Sequence, residues 1–106
     1  MSYANAVIFN LATNQTVTGA VGPAFSDIAP VNRTFQAIAT AQGLAEATVV
    51  IQVSNDGINY ITLGTITLSA AQTATDGFAS AAPWKHTRAN VTAITAGTSV
   101  NVIMGV

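Results

Sequence analysis

A catalytic site in this chain would have no cysteine to draw on, so the search for chemistry starts from its histidine, carboxylates and hydroxyls. The single histidine, His86, stands among Lys85 and Arg88. Acyl transfer needs a nucleophile, a base and an acid that orients the base, and a base flanked by cations is disfavoured from carrying the proton it removes. His86 therefore reads as a residue on the surface of a strand. Asp56 and Asp76 each precede a glycine. An aspartate in that setting accepts hydrogen bonds from local backbone N–H groups, so both read as turn residues and not as an acid/base pair. The stretch Asn55-Asp56-Gly57-Ile58-Asn59 shares positions with a calcium loop but lacks its alternating ligands and its terminal Glu. No thiolate is available for zinc, and no GxGxxG or Walker A segment for a nucleotide. The expectation is a chain without catalytic, cofactor-binding or metal-binding residues, hence no enzyme.

The composition narrows the class further. Only 7% of the 106 residues are charged, against about 25% in ordinary soluble domains, and the net charge is −1. A surface so poor in cations has no means of holding nucleic acid or an anionic membrane. Half of the residues are hydrophobic, so the chain has what it needs to fold. Its polar residues are mostly Thr, Asn, Ser and Gln, which suit pleated strands, turns and neutral protein interfaces. The Asn-x-Thr triplets at Asn14, Asn32 and Asn90 are expected by chance in such a chain and receive no role. Met1-Ser2-Tyr3-Ala4-Asn5 has neither the basic start nor the apolar run of a secretory signal, and no apolar run is long enough to span a membrane. These features predict a protein made in, and at first soluble in, a cytoplasm.

The elements that would position any surface site are strands. Val49, Ile51 and Val53 alternate with polar neighbours at period 2. The turn Asn55-Asp56-Gly57 then leads into Ile58-Asn59-Tyr60-Ile61-Thr62-Leu63, which predicts a β-hairpin. Beyond it the apolar phase changes at Gly64, a sign of a bulge or sharp bend. Residues 69–82, rich in Ala, Thr and Ser, read as a loop with the turn Asp76-Gly77 and a short strand around Phe78. A strand from Trp84 to Ile94 and another over 99–106, joined at Gly97, predict a second hairpin. Trp84 is expected to close one end of the core. In the first half, residues 6–11 and 33–40 read as strands, and 41–45 as a turn of helix or a loop. The sum is an all-β, single-domain antiparallel β-sandwich, jelly-roll or Ig-like, of about 7–8 strands. One domain spans residues 1–106, with residues 1–32 read as an irregular N-terminal assembly segment.

Two blocks carry a family likeness: residues 52–60 followed by Leu63, and residues 82–92 leading to the closing strand. In both, the chain resembles small β-sandwich virion structural proteins of tailed bacteriophages, of the capsid decoration or cement type. The resemblance implies a structural virion component, whether capsid decoration or cement protein, head-fibre base or tail accessory module. Of these the expectation is a non-enzymatic decoration protein that binds the major capsid protein on the outer surface of the head, as a homo-oligomeric trimer or dimer. The resemblance supplies no catalytic residues. Lys85, His86 and Arg88 would form the capsid-contact edge, and Asp56, Gly57, Gly64, Asp76, Gly77 and Gly97 the structural turns. The alternative is a tail or fibre accessory module that binds host-surface carbohydrate through aromatics such as Trp84, Tyr60 or Tyr3.

Overall fold

Odd-numbered residues face inward from Arg33 to Ala39 and again from Ala45 to Val53, and the same parity on both sides of the exposed residues 42–44 fits one strand in place of two expected ones. The computed structural model describes residues 8–26, 32–82 and 84–106. Its elements are β1 (Ile8–Gln15), β2 (Phe25–Ser26), β3 (Arg33–Ser54), β4 (Ile61–Ser80), β5 (His86–Ile94) and β6 (Ser99–Gly105). Strand β3 runs for 22 residues and β4 for 20, and every pairing is antiparallel.

Strand β3 is flanked along its whole length. On one side lies β4. On the other lie β5 beside residues 47–54 and β6 beside residues 34–40, end to end. This three-strand ribbon is folded in half. The fold falls where the β3–β4 register slips between Thr40 and Ala45 and where Gln42, Gly43 and Leu44 are exposed, since extra unpaired residues bend a strand. One layer is then β1, β6, the first half of β3 and the second half of β4. The other is β2, β5, the second half of β3 and the first half of β4. Contacts between the layers confirm the stacking. Phe9 of β1 meets Phe25 of β2 with ring centroids 5.0 Å apart. Arg33 Nη1 donates to Thr87 Oγ1 across the layers at 3.2 Å. A Cβ placed on Gly64 would lie 2.5 Å from Cζ of Phe78, so glycine is what lets the two halves of β4 lie against each other.

The core is one cluster that runs through the crease. Ala37, Ala39, Ala45, Ala47 and Ala74 stand near the crease, where Val100 is paired with Ala39 and Leu68 with Ala47; Phe35, Val49, Ile51, Ile66 and Met104 stand farther out. Beside such neighbours an alanine fills the space left at interior packing density. The molecule is flat, 42 × 39 × 17 Å.

The all-β antiparallel sandwich stands as expected, with corrections inside it. Six strands are described, and because β3 and β4 serve both layers each layer holds four strand segments. Residues 41–45 belong to β3, and residues 69–80 to β4, so neither stretch is a loop or helical turn. Asp76 and Gly77 pair with Ala37 and Gln36 within the sheet and form no turn. Gly64 sits within β4 beside the bulge that the change of apolar phase predicts, where the register slips between Ile51 and Gln52. The expected second hairpin is an arch instead: β5 and β6 do not pair, and residues 95–98 carry the chain from layer to layer around the crease. There Thr95 donates to Glu46 O from N–H at 3.0 Å and from Oγ1 at 3.3 Å. Within the expected assembly segment, β1 is a full strand of the sheet paired with β6, while residues 1–7 and 27–31 lie outside the described residues.

Candidate functional site

The turn between β3 and β4 is built by one aspartate. Asp56 Oδ1 accepts from Ser54 Oγ at 2.6 Å, Ile58 N–H at 2.9 Å and Asn59 N–H at 2.8 Å, and Oδ2 accepts from Asn59 Nδ2 at 2.8 Å. These donors, Ser54 Oγ foremost and then Ile58 N–H and Asn59, hold the Asp56 carboxyl far below the usual carboxylate range. Gly57 follows at φ 73°, a left-handed conformation that glycine alone adopts without penalty. The turn forecast at Asp56-Gly57 is thus real, as is that at Gly97, φ 81°. Because the Asp56 bonds wind residues 57–60 into the turn, β4 starts only at Ile61, and Ile58 is left 80% exposed at the tip. Sequence alternation had placed Ile58 in a strand.

Strand β5 brings the basic residues to this turn. Lys85 is exposed, and its N–H donates to Asn55 Oδ1 at 3.3 Å. His86, opposite Ser54 in register, packs against Gly57, where an added Cβ would lie 3.2 Å from its ring. Arg88 donates from Nε to Gln52 Oε1 at 2.8 Å and lays its guanidinium over the Tyr60 ring at 3.8 Å, a cation–π arrangement that holds the charge in place at the surface. The two sequence blocks that carry the virion likeness therefore meet here, residues 52–60 on one side and 85–88 on the other. Lys85 is exposed and His86 and Arg88 are half-buried beside this turn.

Ser54, His86 and Asp56 lie together in this turn, but their hydrogen bonds run in the wrong order for a catalytic relay. Ser54 Oγ donates to Asp56, accepts from the N–H groups of Asp56 and Gly57, and is buried. A nucleophile must instead hand its proton to the histidine. Among the described residues no group of three or more His, Asp or Glu could hold a metal ion.

Arg33, the remaining arginine, is turned away from solvent. It is 5% exposed and donates from Nη1 to Trp84 O at 3.0 Å and to Thr87 Oγ1, and burial lowers its pKa. Trp84 is half-buried beside it and lies outside the hydrophobic cluster, so it does not plug the core as expected. Its backbone carbonyl, not its indole, is what the core uses. Tyr60 presents a face already covered by Arg88, and Tyr3 lies outside the described residues.

No protein-family model matches the chain, and no curated protein matches it. Among solved structures, the fold is similar to the crystal structure of SPBc2 prophage-derived protein YomS, with a TM-score of 0.62 and 9% sequence identity. The match covers 100% of this chain and 97% of that one. At that identity the likeness is one of fold.

Proposed function

We propose that this chain is a non-enzymatic structural component of a phage virion, a capsid decoration protein that docks on the outer face of the major capsid shell. The observation that carries the reading is the end-to-end correspondence of fold with a prophage-derived protein. The meeting of both virion-like blocks in one surface supports it and suggests an edge for docking. That edge is Lys85, His86 and Arg88 with Ile58 at the tip: an exposed apolar anchor beside a small basic patch. Fixing Arg88 between Gln52 and Tyr60 before binding lowers the ordering cost of the contact. A near-neutral exterior loses little on desolvation against a protein neighbour. Stabilisation then follows from mass action. A ligand that binds only the assembled shell favours it by about 2.7 kcal/mol per site at a hundredfold excess over Kd.

Imaging virions of the phage that encodes this chain, while counting its copies by mass spectrometry, tests the proposal. Hundreds of copies on the head are expected. A number matching a single ring, or a location on the tail, overturns it in favour of a tail or fibre module.

A further inference from the structure

The two flanks of this sandwich treat their sheet edges differently. On one flank the edge of β1 is broken by register slips between Asn10 and Ala12 and between Ala12 and Gln15. The edge of β5 on the same flank is occupied by β2 and by Gly19, which exchanges backbone hydrogen bonds of 2.8 and 3.1 Å with Val91. Such bulges and covering segments are how proteins keep strand edges from pairing with other chains. On the opposite flank β4 pairs, among the described residues, with β3 alone in both layers. Its register slips beside Gly64 and near the crease, but it runs without a slip over residues 64–68 and 73–80. Its 20 residues include no Lys, Arg or Pro, and Asp76 is its one charge.

Because β4 folds back on itself with Gly64 against Phe78, this flank shows two stacked open edges. The seam between them carries Ile61, 53% exposed, with Leu63 and Phe78 half-buried. We propose that this flank is a dimer interface in which β4 of one copy pairs antiparallel with β4 of a second copy in both layers at once.

Three considerations select a second copy as the occupant. A partner that satisfies both edges must present two strands stacked about 10 Å apart, and a second copy does so by construction. A two-fold axis along the stacking direction also keeps outward faces outward in both layers. Since residue 64 lies against 78 in a strand folded on itself, an axis passing at Thr65 in one layer passes at Gly77 in the other. In that register Asp76 faces Phe78 of the second copy, not the other Asp76. In this register Thr65 meets its own copy, Thr67 faces Leu63 and Thr75 faces Ala79, all uncharged, and a Thr pair across antiparallel strands is favourable. Finally, the area suffices. Eight strand residues run about 26 Å, and the molecule is 17 Å thick between Cα atoms. Pairing would bury roughly 1,000 Å² in all once side chains are included, the lower bound for a specific interface. A reversible dimer, forming at about micromolar concentration, is the expected strength.

Sedimentation velocity of the full chain over a concentration series should show a monomer–dimer equilibrium. Replacing two exposed outward residues together, Thr67→Lys and Ala79→Lys, should weaken it more than tenfold while far-UV circular dichroism and Tm stay near those of the parent. The chain has no cysteine of its own. Residues directly opposed across antiparallel strands lie within disulfide reach, so Thr65→Cys should give a covalent dimer on mild oxidation and Thr92→Cys, on the outer face of β5, should not. A monomer at every concentration overturns the proposal, as does a dimer indifferent to the lysines or one cross-linked better through position 92. None of these results touches the virion reading, which is decided by copy number on the particle.

Discussion

Asp56 is an exposed carboxylate doing structural work, and its titration makes that work measurable. The folded carboxyl binds its proton less readily than the unfolded one, because Ser54 Oγ, Ile58 N–H and Asn59 all donate to it. Between the folded value and the ordinary value near 4, the unfolded chain holds more protons, so stability rises with pH across that window. The contribution is complete above the ordinary value and is lost as pH falls through the folded one. Asp56→Asn should therefore melt below the parent at pH 7, with the gap in Tm closing as pH is lowered towards 2; parallel Tm–pH curves would show that the turn does not depend on the charge. Asp56-Gly57 was legible in the sequence because its geometry is local, one aspartate and the next few N–H groups. Asp76-Gly77 carries the same dipeptide and misled, since there pairing with Gln36 and Ala37 overrides the turn preference. The stacking of Arg88 on Tyr60 had no local signature at all, because their proximity exists only once β5 has docked beside β3.

At the level of elements, the long strands explain why the Ala-rich stretches were misread. Runs such as 69–75 and 41–45 look too weakly apolar to be core strands, and alanine has low strand preference. In the folded ribbon they lie at the crease, where buried Ala39, Ala45 and Ala47 pack beside Val100 and Leu68 and little room is left for more bulk. Alternation at period 2 marks the residues on either side of 41–44; what the sequence could not show was that both runs belong to one strand bent through the crease. The packing makes a quantitative claim. Ala39→Leu, fully buried beside the crease, should destabilise by about 1–3 kcal/mol through overpacking, and Ile51→Ala, likewise fully buried, by about 2–5 kcal/mol through a cavity. Thr40→Val, beside Ala39 but exposed, should stay within about 0.5 kcal/mol. Urea unfolding reads all three. Tolerance of leucine at position 39 would mean that the crease has room to spare.

For the whole molecule, the decisive fact is that neither layer owns its central strands. Half of β3 and half of β4 belong to each, so one layer cannot unfold without pulling two strands out of the other. Arg33 adds a direct tie, reaching from β3 in one layer to Thr87 and the carbonyl of Trp84 in the other. Unfolding should accordingly be a single cooperative step. The emission of Trp84, the one tryptophan in the chain, and far-UV circular dichroism should trace the same urea transition with the same midpoint. Separate midpoints would show that the layers are independent units and that the crease is a hinge. The same topology sets the folding rate. β1 pairs with β6 near the far end of the chain, and β3 must collect β4, β5 and β6 before either layer closes, so nearly every pairing is non-local. Refolding should then fall in the millisecond-to-second range of all-β domains, not the microseconds of helical bundles. During that time the bare edge of β4 is exposed on every partly folded chain. With β4 pairing to a second copy as proposed, refolding yield should rise with protein concentration through the range where dimers form, and the Thr67→Lys and Ala79→Lys double variant should lose that rise; the same rise in both would show that pairing does not protect the edge.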